Sequence, residues 1–261
     1  MTLDLTVARQ MVSADLLRLR KKRGMIALAL VVVLAPIVIA TGYEVIRHAS
    51  DPSHYGPAGG LHNYTRLLDM LGIFMGPVAA ILIGAEAGAG DLAAGVFRDN
   101  VLTGRSRTAL FLARIPAAVA VTLAVTALGF AIGLGATFAF AGGLPTPSLS
   151  VVLEATAWLA LANSAVCVIA IGLGSLTGSR PGTITALIAW ELVLSPLILQ
   201  ANSLGSLRRG VLDGVLVFLK PGPLSGAPEI VMPAAVAVTV LVVWLLALPV
   251  LGAWRTRTRD A

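Results

Sequence analysis

"RLRKKRGMIALALVVVLAPIVIATGYEVI", residues 18–46, sets five basic side chains, Arg18, Arg20, Lys21, Lys22 and Arg23, before an apolar run that carries one charge, Glu44. The run, residues 25–46, is long enough to cross a bilayer's hydrocarbon core as a helix, for which about 20 apolar residues suffice. A cleavable leader has an apolar core of only about 7 to 15 residues followed by a small-residue cleavage site. The run therefore reads as a retained first span. Its basic flank assigns the N-terminal side to the cytoplasm, where membrane-protein loops carry their excess of Lys and Arg.

The same texture continues along the chain, which is 57% hydrophobic and 12% charged, with a mean hydropathy of +0.90. An ordinary globular domain carries about 25% charged residues. A spanning element must be a helix or part of a closed barrel to satisfy its backbone, and these apolar runs are continuous, without the alternation of barrel strands. Five more runs qualify: 67–88, 109–141, 151–176, 183–204 and 230–254. The third exceeds one straight crossing and is expected to tilt or to extend beyond the membrane. The sequence thus predicts an all-α integral membrane protein, with a six-span domain over residues 25–254 and a short tail, 255–261.

With the N-terminus inside, the inner segments collect Arg9, Arg18, Arg20, Lys21, Lys22, Arg23, Arg98, Arg105, Arg107, Arg114, Arg180, Arg255, Arg257 and Arg259, fourteen of the nineteen basic residues. The outer segments hold Arg47, Arg66, Arg208, Arg209 and Lys220. Both termini are therefore expected in the cytoplasm and the protein in the inner (plasma) membrane. The net charge of +6 is a topology signal, because the basic residues are split among short loops with no aromatic platform for a nucleic acid. Before the first span, Leu5, Ala8, Val12, Leu16 and Leu19 recur at helical spacing within residues 1–24. That is an amphipathic interfacial helix suited to lying along the inner leaflet.

Catalytic groups are scarce. Cys167 is the one cysteine, and His48, His54 and His62 share the outer first loop without the carboxylate or thiol that would complete a metal-ligand pattern. No G-x-x-x-x-G-K-[ST] loop occurs, so the chain does not hydrolyse ATP through a P-loop. Carboxylates in or near the spans include Glu86, Glu154 and Glu191, and an ionisable group there is costly and a functional candidate. Glu154 reaches the outer interface and reads as structural. Glu191, beside Trp190 and without a basic neighbour in sequence, is either a substrate or proton site or a protonated packing residue. Asn163 and Gln200 are further candidates to line a polar path. Gly84 with Gly88, and Gly129 with Gly133, permit close helix approach.

The inner segment after the second span, "GAEAGAGDLAAGVFRDNVLTGRSRTALFLAR", residues 84–114, resembles the corresponding segment of ABC-2 type transporter permease subunits. In that family an acidic residue at the end of the second span is followed by a Gly, a short helix and a small-Gly-x-Ser-Arg-like turn into the third span. Glu86, Gly90, residues 96–102 and "TGRSR" at 103–107 occupy those positions. The family's common form has Gly-Thr where this chain has Gly90-Asp91, and Lys where Arg114 stands.

The resemblance implies a permease working as a pair, identical or with a paralogue, docked on two copies of a cytoplasmic ATP-binding subunit that holds ATP and magnesium; this chain would carry no cofactor and no catalytic residue. It implies a coupling helix in the loop at about 89–108, and the coupling set is Glu86, Gly90, Val96, Phe97, Arg98, Asp99, Leu102, Gly104, Arg105 and Arg107. The arginines alone would serve topology, but Val96, Phe97, Val101 and Leu102 add an apolar face fit for a docking groove. An apolar, sparsely charged interior favours a hydrophobic or amphipathic cargo moved outward. The outer loop 205–229 is open between a re-entrant hairpin around "VLDGVLVFL" and a plain surface loop broken at Gly214 and Pro221. Two other classes stay open: an ion-coupled secondary transporter using Glu191 or Glu86, and a structural or immunity-type membrane protein.

Overall fold

The long runs of Ala, Leu and Val leave the backbone no polar partner except itself, and the chain answers with helices. A computed structural model describes residues 5–93, Gly95, 106–222 and 230–258. No strand occurs among them, and six helices are long and apolar enough to cross a membrane. These are Arg23–Ser50, Gly60–Asp91, Arg107–Ala139, Leu149–Thr177, Arg180–Gln200 and Ala234–Thr258, preceded by a shorter helix, Leu5–Lys21. The protein is an all-α, multi-pass membrane protein.

Local chemistry sets several ends. The Ser106 side chain accepts the Ala109 N–H at 3.2 Å and caps the third span. The Ser179 side chain accepts the Gly182 N–H at 3.2 Å and caps the fifth, with Pro181 in its first turn. Gly178, at φ 68°, closes the fourth span in the left-handed conformation.

The ends differ from the expected ones where polar residues are absorbed into helix. The first span continues to Ser50, and Arg47 lies over the Tyr55 ring, 3.8 Å from its centroid. The expected loop 47–66 shrinks to residues 51–59, because Gly60–Asp69 is helical and buries Asn63, Tyr64, Leu67 and Leu68. The third span is one unbroken 33-residue helix, about 50 Å long at 1.5 Å per residue. The fifth ends at Gln200 and the sixth begins at Ala234, four residues later than expected.

The second span is the axis of the bundle, with 78% of its apolar window buried, against 22% for the fifth span and 11% for the sixth. Glycines set its distance from the fourth span: a Cβ on Gly84 would lie 2.5 Å from the Cys167 carbonyl oxygen, and one on Gly88 would run into that of Ile171. The fourth and sixth spans cross at Gly172 and Gly252, where a Cβ on either would meet the other helix's backbone at 2.5 Å. Gly129 and Gly133 make room for the side chains of Val33 and Leu67.

Two spans are interrupted by π turns, each just ahead of a proline. Pro77 and Pro196 offer no N–H to the carbonyls of Ile73 and Leu192, and their rings crowd those carbonyls. The preceding turns widen, with the Met75 N–H bonding the Met70 oxygen and the Ser195 N–H bonding the Trp190 oxygen. After the fifth span a 3-10 turn, Asn202–Gly210, leads to a short helix, Leu212–Leu219, whose Leu212 to Leu216 are buried. That helix lies against the fourth span, where Trp158 Nε1 donates to the Leu216 carbonyl at 2.8 Å.

The N-terminal helix lays part of its apolar stripe on the rest of the chain and leaves Leu17 exposed. Leu19 is buried, and Val12 and Leu16 pack on the main core.

Candidate functional site

Two places gather ionisable groups inside the bundle. The first is the end where the second span stops. Glu86 and Asp91 lie there at 4% exposure each, and a buried carboxylate is costly unless it is paired. Each receives two cations. Lys22 Nζ stands 3.2 Å from Glu86 Oε1, and Arg180 Nη1 stands 2.9 Å from Oε2. Arg114 Nη2 stands 2.8 Å from Asp91 Oδ2, and Arg18 pairs with Oδ1. Arg18 also meets Asp15 at 3.2 Å; burial pushes the Asp15 carboxyl up, and Arg18 offsets part of that.

The connections give this end its mechanical character. The two carboxylates tie the second span to the N-terminal helix through Arg18, to the residue before the first span through Lys22, to the third span through Arg114 and to the fifth through Arg180. Ser175 of the fourth span donates to the Gly88 carbonyl at 3.1 Å. Arg107 Nη1 donates to the Arg257 carbonyl at 3.2 Å, joining the start of the third span to the end of the sixth. Gly90 faces Glu86 with no room to spare, since a Cβ there would lie 2.9 Å from Oε1.

Of the expected coupling set, Glu86, Gly90 and Arg107 are therefore at this end. Val96, Phe97, Arg98, Asp99, Leu102, Gly104 and Arg105 lie outside the described residues. Sequence reasoning treated Lys22, Arg114 and Arg180 as topology charges, and it noted Asp91, with Arg114, as a departure from the family form. The signal that would have found the second pair was present: Arg114 is a lone charge inside an apolar run.

The second place is the π turn of the fifth span. Glu191 is buried at 7% exposure, and Asp213 of the short helix Leu212–Leu219 faces it at 6%. Among the described residues neither carboxylate has a basic partner. The Ser195 hydroxyl beside Asp213 favours its anion, but burial prevails and pushes the Asp213 carboxyl up to about 6. Glu191 lines a cavity of about 200 Å³ between the second, fourth, fifth and sixth spans, walled by Ile81, Leu187, Trp190, Leu212 and Trp244. The two indoles are tilted 44° with centroids 5.7 Å apart, and Trp244 Nε1 is held by the Gly210 carbonyl at 3.0 Å.

Asn163 and Gln200 do not join Glu191 there. Asn163 is fully buried between the second and fourth spans, and its Nδ2 donates to the Leu71 carbonyl at 3.1 Å and to that of Leu159 at 3.0 Å. It thus serves a carbonyl inside the π turn of the second span, and Gly76 gives it room. Gln200 is exposed at the end of the fifth span. Lys220, counted from sequence as a loop charge, is buried on Asp69 of the second span. His48 bonds the Tyr55 carbonyl at 2.7 Å, and among the described residues no three His, Cys, Asp or Glu side chains are grouped to hold a metal.

No protein-family model matches the chain, and the search of curated proteins returns no match.

Proposed function

We propose that the chain is the permease subunit of an ATP-driven ABC-2 type transporter, exporting a hydrophobic or amphipathic cargo and energised by a separate ATP-binding subunit. The observation that carries this reading is the four-way ion pairing of Glu86 and Asp91. A partner docked on the loop after the second span would hold a rigid handle rather than a slack tether, because the last turn of that span is tied to the N-terminal helix and to the third and fifth spans. Closure of two ATP-binding subunits would then bias the packing of four helices at once, which is a population shift driven by nucleotide bound elsewhere. The apolar residues Val96, Phe97, Val101 and Leu102 after the second span and the missing P-loop fit the same division of labour. The basic end of the bundle would face the cytoplasm, with both termini, and a second protomer, identical or paralogous, would complete the path.

The test is photo-crosslinking from position 97 in native membranes, followed by purification of the adduct. The reading expects an adduct with a P-loop ATP-binding protein and a purified complex whose ATP hydrolysis falls with Phe97→Ala and Arg98→Ala. A chain that purifies without such a partner, with no nucleotide hydrolysis in the complexes it does form, rejects it.

One observation favours a second reading. Glu191 and Asp213 are buried together without a basic partner among the described residues, as a proton- or cation-coupled transporter would require. Glu86 suits that role less, being held by two cations. Uptake into vesicles driven by a pH gradient, without ATP and abolished by Glu191→Gln, would favour this alternative.

A further inference from the structure

A carboxylate that lines an apolar cavity without a hydrogen bond or an ion pair is an incomplete arrangement. Among the described residues Glu191 is such a group. Asp213 lies close to Glu191, and two buried carboxyl groups side by side favour either a shared proton or a bound cation. The rest of the wall is apolar or aromatic, with Trp190 and Trp244 on one side and Ile81, Leu187 and Leu212 around them. Buried charge calls for a counter-charge, and indole faces attract cations, above all alkylammonium groups that shed water readily. A cavity of about 200 Å³ accepts a ring and a short branched head, since a dry apolar cavity of roughly 150 Å³ already holds benzene.

We propose that the cavity between the second, fourth, fifth and sixth spans binds an alkylammonium cation carried on a small apolar or aromatic body, with Glu191 as its counter-charge and Trp190 and Trp244 as its walls. The fit stands on this chain's own residues. That the ligand is also cargo rests on the transporter reading above.

The test uses the full chain in nanodiscs, with no ATP-binding subunit present, so that a failure here is distinct from a failure of the ATP-driven reading. The probe is tritiated benzyltrimethylammonium, and the competitor is its neutral carbon isostere, neopentylbenzene. Saturable binding with a Kd below about 1 mM is expected, with no competition from the isostere and a loss of about tenfold or more in Glu191→Gln. Ala186→Leu, which fills the cavity from an exposed helix position, keeps the proposal testable if the Glu191 variant misfolds, and it should abolish binding while leaving the fold intact. The proposal is overturned if the wild type shows no saturable binding. It is equally overturned if binding survives both substitutions, or if the isostere competes as well as the cation, as a pocket for lipid chains would allow. A Glu191→Gln protein of raised thermal stability, from a chain that binds no cation, also overturns it, since that outcome marks a proton-sharing carboxyl pair.

Discussion

Asp91 and Arg114 meet at 2.8 Å, 2% exposed on the arginine side and 6% on the aspartate side. In sequence they are the two places where the segment departs from the ABC-2 form it resembles, and in space each departure is the other's partner. Removing the aspartate strands the arginine, whereas removing the arginine leaves Asp91 with Arg18. Asp91→Asn leaves the Arg114 cation without its counter-ion and is expected to cost about 3 to 5 kcal/mol, the usual penalty for an uncompensated buried charge. Asp91→Asn combined with Arg114→Met should recover much of that loss, and thermal unfolding of the two single variants and the double variant in detergent measures the coupling. Additive single effects would show that the two side chains do not depend on each other.

Gly90 gives a second prediction about the same end. A methyl at this position would lie 2.9 Å from Glu86 Oε1, so Gly90→Ala should turn the carboxylate away from Lys22 and Arg180 and lower both thermal stability and any ATP-coupled transport. Gly135→Ala is the control, because no atom lies within 4 Å of a Cβ there. In a helix interior that change should stabilise by about 0.5 to 1 kcal/mol through lower backbone entropy in the unfolded chain. Loss of stability at both positions to the same extent would mean that contact with Glu86 is not what excludes a side chain at Gly90.

What could be read from the sequence followed the length scale of each signal. The six helices were legible because each is a run of apolar residues longer than a bilayer crossing. The helix ends were not, since residues such as Asn63, Tyr64 and Arg47 are polar by composition yet are satisfied by neighbours far along the chain: Thr137 at 3.2 Å, the Val151 carbonyl at 3.2 Å and the Tyr55 ring. Glu191 stood out as a lone carboxylate in a span. Its neighbour Asp213 did not, because it comes from a loop that only the return of helix Leu212–Leu219 carries into the bundle. The π turns have a sequence cue in Pro77 and Pro196, but the cue gives the place of a disturbance and not its form.

Asn163, a candidate to line a polar path, donates to a carbonyl of the π turn in the second span. Its amide serves the Leu71 and Leu159 carbonyls together, and in Asn163→Leu both lose that donor inside a dry interface. The expected cost is about 1 to 3 kcal/mol, the price of an unmet buried polar group. Substrate selectivity should not change, because Asn163 is fully buried away from the cavity. A selectivity change at unaltered stability would return Asn163 to the transport path.

The acid pair carries the last prediction, on pH. Asp213 lies on the short helix between the fifth and sixth spans, and burial raises its carboxyl from an ordinary 3.8 to about 6, with Ser195 opposing part of the rise. Glu191 faces it from the fifth span, and no ion pair reaches either group among the described residues. Between about pH 4 and pH 6 the folded chain holds a proton that the unfolded chain has released, so without ligand its stability should fall as pH rises through that window. A bound alkylammonium ion reverses the preference, because it stabilises the ionised carboxylates. Benzyltrimethylammonium should therefore bind more tightly as pH climbs through about 6, where Asp213 ionises, while Asp213→Asn should flatten much of the profile. Thermal shifts measured with and without the cation from pH 4.5 to 7.5, a window set by the raised carboxyl, check both signs at once. A ligand-induced shift that is flat in the wild type across that range would detach the cation from the acid pair.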